Sequence, residues 1–286
     1  MNNPTYLEAL NWAFLYIKPF AKAGIDENGV KLLLADMCHW NNTQLILHYR
    51  AQMDATLWQQ FQENVHRYAA GEPVQYITQQ ATFFGTELYV DARVLIPRFE
   101  TEELVEWVLQ DQDETPKTVL DLGTGSGAIA IALQKQRPKW TVIGSDISAA
   151  ALQVAQKNAR ASQLPVKFEE SDLFNAFQDR TFDVIVSNPP YIARSEAKVM
   201  DRSVLEHEPD QALFAPEQGL AIYRRLSQQL PQYLKPAGAL YCEFGYHQKA
   251  ALQELFMDTR YQVTFKKDVT EHDRMLRVKV KREGKL

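Results

Sequence analysis

Ser187, Asn188, Pro189, Pro190 and Tyr191 follow directly on Phe182 to Val186, a short apolar run rich in β-branched residues. Such a run reads as a buried parallel strand, and what it runs into can do chemistry. In an amide or an aromatic amine the nitrogen lone pair is delocalised, so the nitrogen is a poor nucleophile. Two acceptors that hold both N–H bonds would raise its electron density and aim its π face at an electrophile. The side-chain oxygen of Asn188 is one such acceptor, and the main-chain carbonyl of Pro189 is the other. An Asn before Pro is pushed towards extended conformations, which fixes where its side chain points. Neither proline carries an N–H, so the loop offers carbonyls and few competing donors. Tyr191 adds a flat face for packing the planar group beside a cationic electrophile. No general base is demanded, because the proton can leave after alkylation. Asn-Pro is also a common turn; what separates the two readings is the position of this one within the chain.

Upstream, "VLDLGTGSGAIAIAL" reads as a strand, a glycine-rich turn and the start of a helix. Gly123, Gly125 and Gly127 let the backbone turn tightly and bring its N–H groups close to a ligand. Asp121 falls at the carboxyl end of the strand, where open α/β sheets bind ligands. The next strand ends in Asp146, 23 positions past Gly123 and suited to hold both hydroxyls of a ribose; the third ends near Asp172, at the rim where an adenine would lie. "GTGSGA" also satisfies the dinucleotide fingerprint, and Asp146 would serve an NAD ribose equally well. A nicotinamide enzyme, however, needs a hydride site with a proton donor such as His or Tyr, not Asn-Pro-Pro-Tyr, on its fourth strand.

The elements that must position these residues follow from periodicity. Residues 1–72 are helical: Tyr6, Leu10, Phe14 and Ile17 recur at helix spacing, as do Val30, Leu33, Leu34 and Met37 after a cap at Asp26. Leu57, Phe61, Val65 and Tyr68 form another face, between a cap at Asp54 and a stop at Gly71 and Pro73. A small helical bundle is expected. Residues 73–96 alternate like strands, with Gly85-Thr86 as a hairpin turn, and read as a connector. From 97 to 286 helices and strands alternate, which implies a parallel sheet covered on both faces. "YQVTFKKD" and "RMLRVKVK" break that alternation and predict an antiparallel hairpin at one edge.

A formal net charge of -5 argues against a broad nucleic-acid-binding face. Cys38 and Cys242 lie far apart, which predicts a reducing compartment and no structural metal. The six histidines form no ligand-spaced cluster, and His207 between Glu206 and Glu208 reads as a solvated charge cluster. With no signal-peptide pattern and no run long enough to span a bilayer, the cytoplasm is the expected location and no membrane association is expected.

"DLGTGSG" followed by "SNPPYI" resembles the class I S-adenosylmethionine-dependent methyltransferases that act on planar nitrogens. "GEPVQYI" at 71–77, "FFG" at 83–85, "VLIPRFETEELVE" at 94–106, "EPDQAL" at 208–213 and "HDRML" at 272–276 narrow this. Together they resemble the bacterial peptide chain release factor glutamine methyltransferases, in order over nearly the whole chain. The pattern departs at Phe99, where the family has a proline, and at Pro216 and Glu271, where it has glycines.

The resemblance implies a Rossmann-like α/β fold with an antiparallel edge hairpin after a helical bundle. It also implies S-adenosylmethionine as cofactor and N5-methylation of the glutamine in the Gly-Gly-Gln motif of release factors. Gly123, Thr124, Gly125, Ser126 and Gly127 would then cradle the methionine end of the cofactor. Asp146 would hold the ribose, while Asp172 and Leu173 border the adenine. Asn188, Pro189, Pro190 and Tyr191 would grip the glutamine amide, and Arg98, Glu100 and Thr101 would shape the pocket mouth. The helical domain is expected to hold the substrate protein, and a monomer is the expected state. A nucleic-acid adenine N6-methyltransferase shares the clamp, but should need a basic face and a target-reading domain.

Overall fold

The computed structural model describes residues 3–258 and 260–281. The chain divides into two compact units, residues 1–80 with 199–208, and residues 81–198 with 209–286.

The first unit carries α1 (Tyr6–Ile17), α2 (Glu27–Cys38), α3 (Asn42–Leu47), α4 (Ala55–Ala69) and α5 (Val74–Thr78). Its helices start where side-chain oxygens meet orphan N–H groups. Thr5 and Glu8 cap α1 reciprocally, Asp26 accepts from Gly29 N at 2.8 Å, and Asp54 accepts from Thr56 N at 2.8 Å. The expected stripes supply the core: Tyr6, Leu10, Ile17, Val30, Leu33, Leu34, Phe61, Val65 and Tyr68 are buried. Phe14, Met37 and Leu57 pack against its edge.

Residues 74–78 are helical rather than extended. Val74 and Ile77, three apart, both turn into this core, and so short a run cannot separate a period of 2 from one of 3.6. Residues 199–208, with the short helix Arg202–His207, also group with this unit, a return of the chain that a contiguous reading of 97–286 does not contain.

A hairpin, β1 (Gln80–Phe83) and β2 (Thr86–Tyr89), precedes the sheet. Its turn is Phe84-Gly85, both at positive φ (+47° and +66°), one residue earlier than expected. Then follow α6 (Phe99–Asp111), β3 (Thr118–Leu122), α7 (Ala128–Gln136), β4 (Thr141–Asp146), α8 (Ala149–Ala161), β5 (Lys167–Glu170) and β6 (Phe182–Ser187). After α9 (Arg202–His207, in the first unit) and α10 (Asp210–Leu213) come α11 (Ala221–Tyr233), β7 (Leu234–Glu243), α12 (Lys249–Leu255), β8 (Tyr261–Lys267) and β9 (Asp273–Val280).

The seven strands run in the order β5-β4-β3-β6-β7-β9-β8. The first five are parallel, and β9 is antiparallel to both β7 and β8. Two apolar layers cover the sheet, one including Val119, Val142, Val184 and Ala130, the other including Leu120, Ile143, Ile185 and Tyr223. Glu271, at the family's glycine position, has φ +65° in the β8–β9 turn, a conformation that explains the family's preference. Phe99 is the first residue of α6 and is exposed.

The strand order reverses between β3 and β6, the switch point where open α/β sheets form a crevice at their carboxyl ends. Leu122 of β3 lies between Ser145 of β4 and Ser187 of β6 in register. The glycine turn after β3 and the Asn188 loop after β6 therefore leave the sheet at one level. Among the described residues no helix is long and apolar enough to cross a membrane.

Candidate active site

A cavity of about 370 Å³ opens at this crevice, entirely within the second unit. That volume suits a small-molecule ligand. Gly123, Thr124, Gly125, Ser126, Asp146, Asp172, Leu173, Asn188 and Pro190 line it, with Arg98 and Thr101 on another wall. Gly127, Pro189, Tyr191 and Glu100 are not among its lining residues. Each of the first three has a local reason. Gly127 caps α7 against Ala155 of α8, and Pro189 is buried. Tyr191 turns its hydroxyl to Glu243 Oε1 at 3.0 Å, so its ring anchors the loop rather than facing the cavity.

Gly123 and Gly125 adopt φ of +70° and +55°, and a Cβ on either would meet no atom within 4 Å. The space they leave belongs to the cavity they border, so both the backbone and a ligand's approach call for glycine. Thr124 N donates to Ser145 O at 2.8 Å, and Thr124 Oγ1 donates to Asp121 Oδ2 at 2.6 Å. These bonds fix the turn to β4 and to the end of β3.

Gly125 N donates to Asp146 Oδ2 and Ser148 N to Oδ1, each at 2.9 Å. Burial pushes the Asp146 carboxyl up, and the N–H bonds from Ser148 and Gly125 oppose that shift. A carboxylate oxygen has two lone pairs, so each can still accept from a hydroxyl. Asp172 Oδ2 accepts from Arg225 Nη2 at 2.9 Å, and Leu173 stands at φ +52°. Ser145 Oγ lines the cavity, is buried and has no protein partner, so a polar ligand would satisfy it. The donors, the acceptors and the orphaned hydroxyl together fit a nucleoside-bearing cofactor.

At the other end, Asn188 Nδ2 donates to Thr101 Oγ1 at 2.9 Å, and Thr101 Oγ1 donates to Glu243 Oε2 at 2.6 Å. With its nitrogen engaged, Asn188 keeps its oxygen as the acceptor end. Gly219 (φ +83°) packs so tightly on the Tyr191 carbonyl that any Cβ would collide with it, and Gln248 Nε2 donates to that carbonyl at 2.8 Å.

Sequence reasoning missed Arg225, Ser145 and Glu243. Arg225 shares a helix face with Ile222, three residues back, and both line the cavity, but no motif marks them. Glu243 did carry a signal, since it is an acidic residue inside the apolar run Leu240–Phe244.

Comparisons with known proteins bear on what such a site serves. A model of the PrmC N-terminal domain matches residues 8–78, and a model of the methyltransferase small domain matches residues 77–212. The release factor glutamine methyltransferase of Streptococcus pneumoniae is 44% identical over 236 residues, covering 82% of this chain and 84% of that protein. The protein of the same name from Enterococcus faecalis is 39% identical, covering 94% of this chain and 97% of that one. This chain belongs to the release factor glutamine methyltransferase family. Its fold is that of class I methyltransferases: the hMettl16 catalytic domain superposes with a TM-score of 0.56 at 16% identity, covering 82% of this chain and 84% of that one.

Proposed function

We propose that this protein methylates the side-chain amide nitrogen of the glutamine in the Gly-Gly-Gln motif of peptide chain release factors, and that Asn188 and Pro189 hold that amide. The observation that carries the reading is Asn188 itself. It lines the cavity beside the glycine turn, and its nitrogen is tied back to Thr101, leaving an acceptor for a planar NH₂. Release factor glutamine methyltransferase is the name carried by relatives that share most of the chain.

Bound S-adenosylmethionine would supply an electrophilic methyl on a sulfonium. Gly123, Thr124, Gly125, Ser126 and Gly127 would hold its methionine end, the first four along the cavity wall and Gly127 from behind. Asp146 would hold the ribose hydroxyls, with Asp172 and Leu173 along the adenine and Arg225 fixing the Asp172 carboxylate. The side-chain oxygen of Asn188 and the carbonyl of Pro189 would accept the two amide N–H bonds and orient the nitrogen. Pro190 would close the wall, and Tyr191, anchored on Glu243, would keep the loop in place.

The helical unit is the natural platform for the release factor. Leu15 and Leu47 are 72% and 76% exposed there, apolar surface suited to a protein partner. Crosslinks from bound release factor that avoid residues 1–72 would reject this part. The enzyme would act as a monomer in the cytoplasm, where release factors work, without binding nucleic acid directly.

The relatives do not favour the adenine reading, and one experiment separates the two substrates. Given labelled S-adenosylmethionine with release factor or DNA, the protein should label release factor. Label on DNA alone would reject the proposal.

A further inference from the structure

Asn188 can serve the clamp only if its carboxamide is turned the right way round. The oxygen and nitrogen of an amide have nearly the same shape, so packing alone does not choose between them. Hydrogen bonding does. The Thr101 hydroxyl has one hydrogen, and it gives that hydrogen to Glu243 Oε2 at 2.6 Å. Its remaining capacity is as an acceptor, which Asn188 Nδ2 fills at 2.9 Å. Asn188 is thereby compelled to keep Oδ1 for the substrate. We propose that Glu243 is a positioning residue which, acting through the Thr101 hydroxyl, sets which end of the Asn188 amide faces the cavity. This rests on the reading of Asn188 as the substrate clamp.

The device depends on Glu243 being an acceptor. A protonated Glu243 would donate to Thr101 Oγ1 and release the Thr101 hydrogen for Asn188 Oδ1. The amide would then turn, presenting NH₂ to a substrate NH₂, which is repulsive. Glu243 is buried at 2% exposure at the end of β7. Around it stand Thr101 and Glu100 of α6, Tyr191 of the loop after β6, and Arg274 of β9, while the Tyr223 hydroxyl of α11 donates to its main-chain carbonyl. Burial pushes its carboxyl up, with the Thr101 and Tyr191 hydrogen bonds and the Arg274 charge opposing and Glu100 adding to the rise. Arg274 is itself tied to Asp268 at 3.1 Å. The acceptor form is therefore lost on acidification at a higher pH than for an ordinary carboxylate.

Thr101→Val keeps the shape and removes the hydroxyl, while Thr101→Ser keeps the hydroxyl. The first should lower kcat by about tenfold or more, the scale of one lost preorganised polar contact. The dissociation constant for S-adenosylmethionine should stay within about twofold. The acid limb of the kcat profile should vanish in Thr101→Val, and Thr101→Ser should restore both rate and limb. In wild-type protein labelled with ¹⁵N-asparagine, the Asn188 side-chain amide signal should shift as the pH falls and Glu243 takes up its proton. This needs neither turnover nor a folded variant. Wild-type turnover in Thr101→Val, a deficient Thr101→Ser, or an Asn188 signal that ignores pH would each overturn the relay. Asn188→Ala, run alongside, separates the levels: if it abolishes turnover while Thr101→Val does not, only the relay fails. If Asn188→Ala turns over normally, the clamp fails and the relay with it.

Discussion

Leu122 of β3 and Ser187 of β6 are register partners, and Ser187 Oγ donates to the Leu122 carbonyl at 2.7 Å. One residue further along each strand come Gly123 and Asn188. The glycine turn and the Asn188 loop are thus fastened together at the last rung of the sheet, and Gly123 and Asn188 line one cavity.

Asn188→Ala should lower methyl transfer by about 10²-fold or more while leaving S-adenosylmethionine binding nearly intact. Steady-state rates with release factor, alongside calorimetric binding of the cofactor, test this. Unchanged turnover would mean that the clamp is elsewhere.

Asp146→Ala removes the acceptor of Gly125 N and Ser148 N as well as that of the ribose. Cofactor affinity should fall about tenfold or more, the worth of hydrogen bonds to a charged group. A dissociation constant like that of the wild type would exclude the ribose role.

Gly219→Ala puts a methyl into the Tyr191 carbonyl at a backbone φ of +83°. The backbone conformation alone disfavours alanine by about 1–2 kcal/mol, and the collision adds to it. Urea unfolding should show the loss, and turnover should fall because the displaced carbonyl belongs to the substrate loop. A variant as stable and active as the wild type would contradict this packing.

Asp121 gives a pH dependence with a definite sign. Burial pushes its carboxyl from 3.8 up to about 7, with the Thr124 and Ala130 hydrogen bonds only partly offsetting the rise, and Oδ1 has no protein partner. The folded state therefore holds this proton at pH values where the unfolded chain has released it. The contribution is fully present below the unfolded value and is lost as pH rises towards 7, by about 1.4 kcal/mol per unit. Asp121→Asn mimics the protonated acid. Relative to it, the wild type without cofactor should lose about 2 kcal/mol between pH 5 and 7 in denaturant titrations. Parallel pH profiles would place the proton elsewhere.

The sheet was legible because strands such as Thr118–Leu122 and Phe182–Ser187 are continuous apolar runs ended by chemistry-bearing turns. The helical unit was legible from long stripes and from caps at Asp26 and Asp54. What escaped was short or set by distant partners. Val74–Thr78 is too brief for its period to show. Arg225 enters the site only because α11 packs with that face inward, and Thr101 and Glu243 meet across 142 positions of sequence. Tyr191 shows the limit most clearly. Its flat ring suggested a cavity wall, while its buried hydroxyl, held by Glu243, makes it an anchor.

Mass spectrometry of a release factor incubated with S-adenosylmethionine and this protein tests the central claim most directly. A single added methyl is expected on the glutamine of the Gly-Gly-Gln peptide, reduced about 10²-fold with Asn188→Ala. An unmodified Gly-Gly-Gln peptide, or a methyl on any other residue, would contradict it.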